Sequence, residues 1–406
     1  MNKKILIAIA LVFILSLLGV WGYFLVYGTP ESVEDVFASF GSSSEQVDVM
    51  APEPDQTGDT ETTQIQDDDQ ASVSETSTTD SQPVRQITTE PVAGFTIYRP
   101  NPNATSTQNK VLFAERGTGH IYEYNLDTND RIRRSNFTVQ QAREAFISND
   151  GSYAVIVRNV GSEREFHIFD LQNDDPNPTT ISKNAQNIQL LNNNALVYTI
   201  NSNQGNRALA YNLSTGVEQE IFRIPFTQAR VAWGPTVNAT HFVYTRPAQD
   251  LISHVYRVSG GVLRHTQISG YSLSIITNGT DVAYSYLEES GNLQSSVSLA
   301  NSTNLNSPRP LTTTVVPEKC AFGSNNILFC ADSQITSSIN LTDWYIGLSQ
   351  LSDSLWAVNL NLGSARQITN FRNQNGRSVD VDKIDVQEDV IALRNKTDGT
   401  LWIVRN

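Results

Sequence analysis

Two cysteines, Cys320 and Cys330, are the residues whose type and spacing point most directly to chemistry. They flank a predicted turn, and each lies five residues from Asn325, so strand pairing about this turn places them opposite each other. Directly opposed residues in a non-hydrogen-bonded pair have Cα atoms about 4.5 Å apart, at the short end of disulfide geometry. We expect a disulfide in an oxidising compartment, with two buried, reduced thiols as the alternative. No histidine lies near the pair, so it does not predict a metal site.

A second candidate site is the cluster Asp343, Trp344 and Tyr345. It lies in an unusually long predicted connection, Ser333–Ser354, between two strands. Large aromatic side chains in an exposed loop are costly unless they contact something. We therefore predict that the three residues bind a ligand or partner. The alternative is that the loop only plugs an opening in the fold.

Four arginines end predicted strands at related positions: Arg158, Arg246 and Arg394 share one position, and Arg116 lies one place further. If they face a common opening, they form a cationic rim suited to a carboxylate or phosphate. The alternative is that each is a solvated residue at a strand end.

The sequence predicts no catalytic residue, metal or cofactor. Its histidines show no metal-binding spacing, and glycine-rich phosphate loops and the G-x-S-x-G nucleophile motif are missing. A hydrolase or lyase would need converging acid and base groups, for which Glu115, Asp332 and Asp343 are the candidates. The histidines are His120, His167, His241, His254 and His265.

The charge of the 406-residue chain is concentrated in one segment. Residues 29–90 carry 15 acidic side chains and one basic side chain, whereas residues 91–406 have a net charge of only −2. A basic nucleic-acid footprint is therefore excluded. Residues 29–83 are rich in Ser, Thr, Asp and Glu, a composition that predicts a flexible, disordered linker.

Residues 1–28 predict a cytoplasmic tip and a transmembrane signal-anchor helix. Ile5–Val26 contains no charged side chain and is long enough to cross a bilayer. Lys3 and Lys4 precede it and acidic residues follow, so we expect the N-terminus in the cytoplasm and contact with the membrane through residues 5–28. A cleaved signal peptide is the alternative, although the apolar run is long and lacks an A-x-A site.

From residue 84 onward, short β-branched and aromatic runs alternate with Asn, Asp and Gly turns, a pattern typical of strands. The runs align as a repeated unit of four strands with a period near 45 residues, which is typical of a β-propeller. The third strands of successive units end at residues 126, 171, 213, 260, 301, 360 and 406.

The two ends of this region predict how the ring of units closes. The last unit stops after its third strand, and Val84–Thr88 closely resembles the fourth strand of the preceding unit, Ala365–Thr369. We therefore expect Val84–Thr88 to pair with the C-terminal strand, since closure removes exposed sheet edges. The predicted fold of residues 84–406 is an all-β, seven-bladed propeller with four-stranded antiparallel blades.

The unit Phe146–Val155 (FISNDGSYAV) resembles the TolB-type and WD40-like propeller repeats of bacterial envelope proteins. The resemblance covers residues 84–406 and implies a propeller that binds proteins or ligands, without a transferable catalytic residue. The expected function is a membrane-anchored, extracytoplasmic binding or scaffolding module for an envelope protein or glycan. The alternative is an envelope hydrolase or lyase acting on an anionic glycan at the channel mouth.

Overall fold

The computed structural model describes residues 84–99, 109–173, 178–192, 194–248, 250–289, 291–298, 308–311, 313, 315–333 and 341–405. The predicted anchor (1–28) and the predicted linker (29–83) lie outside these residues. Within the described ranges, no helix has the length and apolar character that crossing a membrane requires.

Strands make up most of the described residues. In chain order, the first thirteen strands are β1 (Val84–Gln86), β2 (Val92–Ile97), β3 (Lys110–Glu115), β4 (Ile121–Asn125), β5 (Arg131–Arg133), β6 (Glu144–Ile147), β7 (Tyr153–Val160), β8 (Glu163–Asp170), β9 (Thr179–Lys183), β10 (Ala185–Leu190), β11 (Ala195–Ser202), β12 (Gly205–Asn212) and β13 (Glu218–Ile224). They are followed by β14 (Ala229–Ala232), β15 (His241–Thr245), β16 (Ile252–Ser259), β17 (Val262–Thr277), β18 (Val282–Leu287), β19 (Leu293–Ser298), β20 (Arg309–Pro310), β21 (Cys320–Phe322), β22 (Ile327–Asp332), β23 (Ser354–Asn359), β24 (Ala365–Asn370), β25 (Val381–Gln387), β26 (Val390–Asn395) and β27 (Leu401–Arg405).

Consecutive strands pair antiparallel, as the repeat predicts. Four sheets contain four consecutive strands each: β2–β5, β6–β9, β10–β13 and β21–β24. A fifth, the closing sheet, has the order β1-β27-β26-β25. The remaining sheet has seven strands, β14–β20, because β17 pairs with β16 through its first part and with β18 through its second.

The closing sheet joins the two ends of the described chain, as the sequence predicts. Val84 lies opposite Val404, and Gln86 lies opposite Trp402. The pairing extends beyond β1, because the Leu401 amide donates a hydrogen bond to the Thr88 hydroxyl at 2.9 Å.

The first strands of successive sheets contact one another. A Cβ atom on Gly94 of β2 would lie 1.9 Å from the Ala145 carbonyl oxygen of β6, so only glycine fits this approach. The Ile97 amide donates to an Asp385 carboxylate oxygen of β25 at 2.7 Å. These strands therefore line the interior of the array, while buried aromatic residues such as Phe113 and Phe166 fill the layers between sheets.

Three short helical segments interrupt the strands. A 3-10 turn, Pro317–Lys319, precedes β21, and two helices follow later, α1 (Leu341–Ile346) and α2 (Phe371–Asn375). Helix α1 lies within the long connection between β22 and β23, which the sequence analysis treats as a loop. The 3-10 turn and α1 both contribute to the site described below.

Strand pairing places Cys320 of β21 opposite Cys330 of β22, as the turn arithmetic predicts. A disulfide joins them, with Cα atoms 4.1 Å apart. Because Cys320 directly follows the 3-10 turn, the disulfide holds the end of that turn to the sheet.

Candidate functional site

One opening among the described residues is a cavity of about 700 Å³, here called the mouth cavity. It lies where β6, β10 and β14 begin, and the β7–β8 turn (residues 159–164) closes one side. Asparagine and glutamine side chains supply much of its wall, together with four arginines and two glutamates. The wall is therefore rich in hydrogen-bonding groups and poor in apolar surface.

The charged groups of the mouth cavity do not balance. Glu144 lies 3.6 Å from Arg143 and 4.0 Å from Arg164, so these three residues partly neutralise one another. Arg230 and Arg246 also line the cavity, and no carboxylate in the described ranges lies within 4.0 Å of their side-chain nitrogens. Four arginines against Glu144 and Glu163 leave an excess of positive charge that favours an anion.

Asn187 fixes the shape of this mouth. It lies at a register irregularity of β10, with φ of +49° in the left-handed region. Its side-chain amide donates to the Thr199 hydroxyl at 2.8 Å and to the Ala229 carbonyl oxygen of β14 at 3.1 Å. Its own carbonyl accepts from the Trp233 indole at 2.6 Å. A bulge held in this way changes the direction of the neighbouring side chains, and such bulges are frequent beside binding sites.

A second cavity of about 420 Å³, here called the inner cavity, continues from the first. Both cavities are lined by Asn187, Ile188, Arg230 and Arg246. The inner cavity also reaches strand β17 and the side chains of Tyr244, Glu318 and Tyr345. A ligand entering at the mouth can therefore extend toward Glu318.

Glu318 is a half-buried carboxyl group in the wall of the inner cavity. The Tyr345 hydroxyl donates to its two oxygens, each at 3.1 Å. Burial raises the pKa of Glu318, and the nearby Ser274 hydroxyl, the Tyr345 hydroxyl and the positive charge of Arg230 oppose that rise only in part. Burial likewise raises the pKa of Tyr345, so its proton stays in place.

A buried charge network, Lys319, Asp353 and Asp380, lies directly behind this pair. The Lys319 ammonium donates to Asp353 and Asp380, each at 2.7 Å, and all three side chains are essentially inaccessible to solvent. The Val381 amide donates at 2.6 Å to the same Asp353 oxygen that Lys319 contacts at 2.7 Å, and Lys319 also reaches the other oxygen at 3.0 Å. Opposite charges that are both buried are stable only when each is paired in this way.

The same network holds α1 in place. The Trp344 indole donates to both oxygens of Asp380 at 3.0 Å, and the Lys396 ammonium lies 3.9 Å from the centre of its ring. Trp344 is therefore only 3% exposed. Because Trp344 is fixed, its neighbour Tyr345 is held against Glu318 on the cavity side.

The three residues predicted from the aromatic cluster have different places. Trp344 lies in the buried charge network, and Tyr345 lines the inner cavity. The Asp343 carbonyl accepts from the Leu348 amide at 2.8 Å at the end of α1, and Asp343 lines neither cavity. The connection thus contributes one cavity-lining side chain, and ligand binding by the cluster stays a prediction.

The four predicted arginines have different surroundings, and a shared cationic rim stays a prediction. Arg246 alone among them lines the described cavities. Arg158 donates to Glu165 of the adjacent strand at 2.7 Å, and Arg394 donates to Asp382 at 2.8 Å. Arg116 is exposed and lines neither cavity. Cross-strand partners thus hold two of the four, which sequence position alone did not reveal.

Several residues that line the cavities were not predicted from the sequence, chiefly Arg230 and Glu318. Both lie at or just before the first strand of a unit, where polar residues cluster. An alignment of the first strands, rather than the second, would have exposed this pattern. The acidic candidates Glu115 and Asp332 line neither cavity, and the described residues contain no group of three or more potential metal ligands.

Solved structures with a similar fold are β-propellers by their descriptions. The β-propeller domain of Cps50 (Swd1) from Myceliophteria thermophila has a TM-score of 0.52 at 10% identity, over 80% of this chain and 99% of that one. The β-propeller domain of the trilobed protease from Pyrococcus furiosus, described as an open velcro topology, has a TM-score of 0.50 at 10% identity, over 77% and 92%. This chain has a β-propeller fold.

A third similar structure is oligogalacturonate lyase from Vibrio parahaemolyticus, with a TM-score of 0.53 at 15% identity, over 79% of this chain and 93% of that one. Identities this low show a shared fold alone. No family model and no curated protein matches the sequence. The cavities of this propeller are therefore the features that bear on its function.

Proposed function

We propose that residues 84–406 form a seven-bladed propeller whose central opening binds a ligand. Dividing the seven-stranded sheet within β17 gives two further units, which with the five four-stranded sheets make seven. The closing sheet, built from β1 and β25–β27, supports a closed ring. First strands that contact their neighbours support a narrow central channel.

We propose that the ligand is anionic and rich in hydroxyl groups, such as an acidic glycan. The observation that carries this proposal is the polar mouth cavity of about 700 Å³ with its excess of arginine. Amide side chains pair with hydroxyl groups, whereas guanidinium groups pair with carboxylates. An apolar ligand would leave these groups without partners. The module would present this cavity to an envelope glycan or glycan-bearing partner.

The substitution Arg246→Ala tests this proposal, with Arg158→Ala as the matched control. Both arginines occupy the same position of their strands, but only Arg246 lines the cavities. A charge-assisted hydrogen bond contributes about 1.5–3 kcal/mol, so Arg246→Ala should raise the Kd for an acidic oligosaccharide about tenfold or more. Titration calorimetry of the full chain in detergent with trigalacturonate measures this.

The control variant should bind trigalacturonate within about twofold of the unaltered chain. A neutral oligosaccharide of the same length should bind more weakly than trigalacturonate. Equal loss in both arginine variants, or no binding of any acidic oligosaccharide, would contradict the proposal.

A catalytic role for the same opening is the second candidate function. It is favoured by Glu318 and Tyr345, an acid and a phenol that meet in the inner cavity, and by the likeness to oligogalacturonate lyase. Product analysis after incubation with oligogalacturonate tests it. New unsaturated or reducing ends that disappear in Tyr345→Phe would establish catalysis, and unchanged substrate would leave binding as the function.

We also propose that Ile5–Val26 anchors the chain in a membrane, with the propeller outside the cytoplasm. Support comes from the uncharged apolar run and from the disulfide, which is typical of oxidising compartments. Maleimide labelling of acid-quenched cells should modify neither Cys320 nor Cys330 before reduction and both after it. Full labelling without reductant would place the propeller in a reducing compartment and contradict the proposal.

A further inference from the structure

The inner cavity contains polar groups that the fold itself does not require. Glu318 and Tyr345 meet in its wall, where the tyrosine hydroxyl donates to the carboxyl group, and Arg230 and Arg246 line both this cavity and the mouth cavity. The Ser274 hydroxyl is buried beside Glu318 and interacts with that carboxyl group, but no hydrogen bond of normal geometry satisfies it. A ligand group could supply a better-placed partner.

We propose that Glu318, Tyr345, Arg230 and Arg246 form a subsite for one carboxylate of the ligand, which shares a proton with the Glu318 carboxyl group. The subsite rests on the proposed function, because it lies at the inner end of the same opening. Its ligand class is a uronic or other acidic sugar whose carboxylate reaches past the mouth. The two arginines provide the positive charge, and the glutamic acid provides a proton.

The groups around Glu318 support a neutral carboxyl rather than an ion pair. Arg230 approaches from β14, Tyr244 from β15, Ser274 from β17 and Tyr345 from α1. The cation next in sequence, Lys319, donates to Asp353 and Asp380 and is fully buried. Burial raises the pKa of Glu318 despite the positive charge of Arg230.

A ligand carboxylate strengthens this preference. The ligand carboxylate and the Glu318 carboxylate would repel each other if both were ionised. They therefore share a proton, and the pKa of Glu318 rises further when the ligand binds. Above the pKa of Glu318 in the free protein, binding therefore takes up a proton. The affinity should fall by up to tenfold for each pH unit in that range.

The test measures binding of trigalacturonate to the full chain between pH 5 and pH 8, for the unaltered protein and for Glu318→Gln. Glutamine keeps the shape and a donor group but cannot ionise. The expected result is an affinity that falls with rising pH in the unaltered chain and is nearly constant in Glu318→Gln. At pH 8 the variant should bind more tightly than the unaltered protein.

Glu90→Gln is the matched control, because Glu90 is exposed and lines neither cavity. It should keep the pH dependence of the unaltered chain. Calorimetry in buffers of different ionisation enthalpy provides a second measurement without any substitution, and should show uptake of up to one proton per ligand at neutral pH.

Three results would overturn the inference. If the pH dependence persists in Glu318→Gln, or if the affinity of the unaltered chain rises with pH, Glu318 does not share a proton with the ligand. Binding of trigalacturonate without proton uptake has the same meaning and leaves the proposed function intact. Absence of binding at every pH overturns the proposed function and the subsite together.

Discussion

Replacing Lys319 with methionine is expected to reduce the free energy of unfolding by about 3–5 kcal/mol at neutral pH. Lys319 is the cation that pairs with Asp353 and Asp380, and its side chain has no access to solvent. Methionine has a similar shape but leaves two buried carboxylates without their counter-ion. Denaturant unfolding of the full chain in detergent, followed by tryptophan fluorescence, measures the loss.

The pH dependence of this loss identifies its cause. Burial raises the pKa of Asp353, and the charge of Lys319 lowers it, so removing Lys319 should raise that pKa further. An acidic group with a raised pKa is unfavourable to the fold when it is ionised, and the penalty disappears as the pH falls. The difference between Lys319→Met and the unaltered chain should therefore be largest near neutral pH and smaller in acid.

Two further variants complete this test. Lys183→Met removes a lysine that pairs with Glu218 at the surface, at 3.2 Å, and should cost less than about 1 kcal/mol. Adding Asp353→Asn and Asp380→Asn to Lys319→Met should recover part of the stability, because no buried charge is then unpaired. Equal losses for Lys183→Met and Lys319→Met would show that the network does not hold this part of the propeller.

Deleting residues 84–88 is expected to destabilise the propeller by about 4 kcal/mol or more. Val84 and Thr88 are buried, and burial of a valine side chain alone contributes about 1.5–3 kcal/mol. The hydrogen bonds to β27 contribute about 1 kcal/mol each, including that between the Ile87 amide and the Leu401 carbonyl at 2.8 Å. The uncovered edge of β27 should also promote association between chains.

Deletion of residues 60–64 is the control, since it shortens the chain equally before the closing sheet begins. Unfolding by denaturant and light scattering on heating should distinguish the two deletions. If both behave like the unaltered chain, β1 does not close the ring.

The strands and their closure could be predicted because they depend on local patterns. Tyr153–Arg158 is a short run of mainly apolar, β-branched residues bounded by an Asn-Asp-Gly turn, and it forms most of β7. The similarity between Val84–Thr88 and Ala365–Thr369 indicated a missing fourth strand, which β1 provides. The long strand β17 was harder to predict. It pairs first with β16 and then with β18, and the change of partner comes near Ser272, whose φ is +46°, and not at a glycine turn.

The candidate site could be predicted only in part, because it depends on contacts between distant segments. The sequence singled out Trp344 and Tyr345 together. It could not show that a hydrogen bond to Asp380 holds Trp344 in the interior while Tyr345 lines the inner cavity. Nor could it show that Arg158 pairs with Glu165 while Arg246 stays at the opening. The sequence did not single out Glu318, and only its position against Tyr345 makes it a candidate.

Hydrogen exchange with mass spectrometry, on the full chain with and without saturating trigalacturonate, tests most directly whether the central opening is the ligand site. Ligand binding in the central opening should slow exchange in peptides that cover residues 184–189, 228–232 and 315–319, with little change on the outer strands β5, β9 and β13. Slower exchange confined to the outer strands, or none at a concentration where calorimetry shows binding, would contradict it.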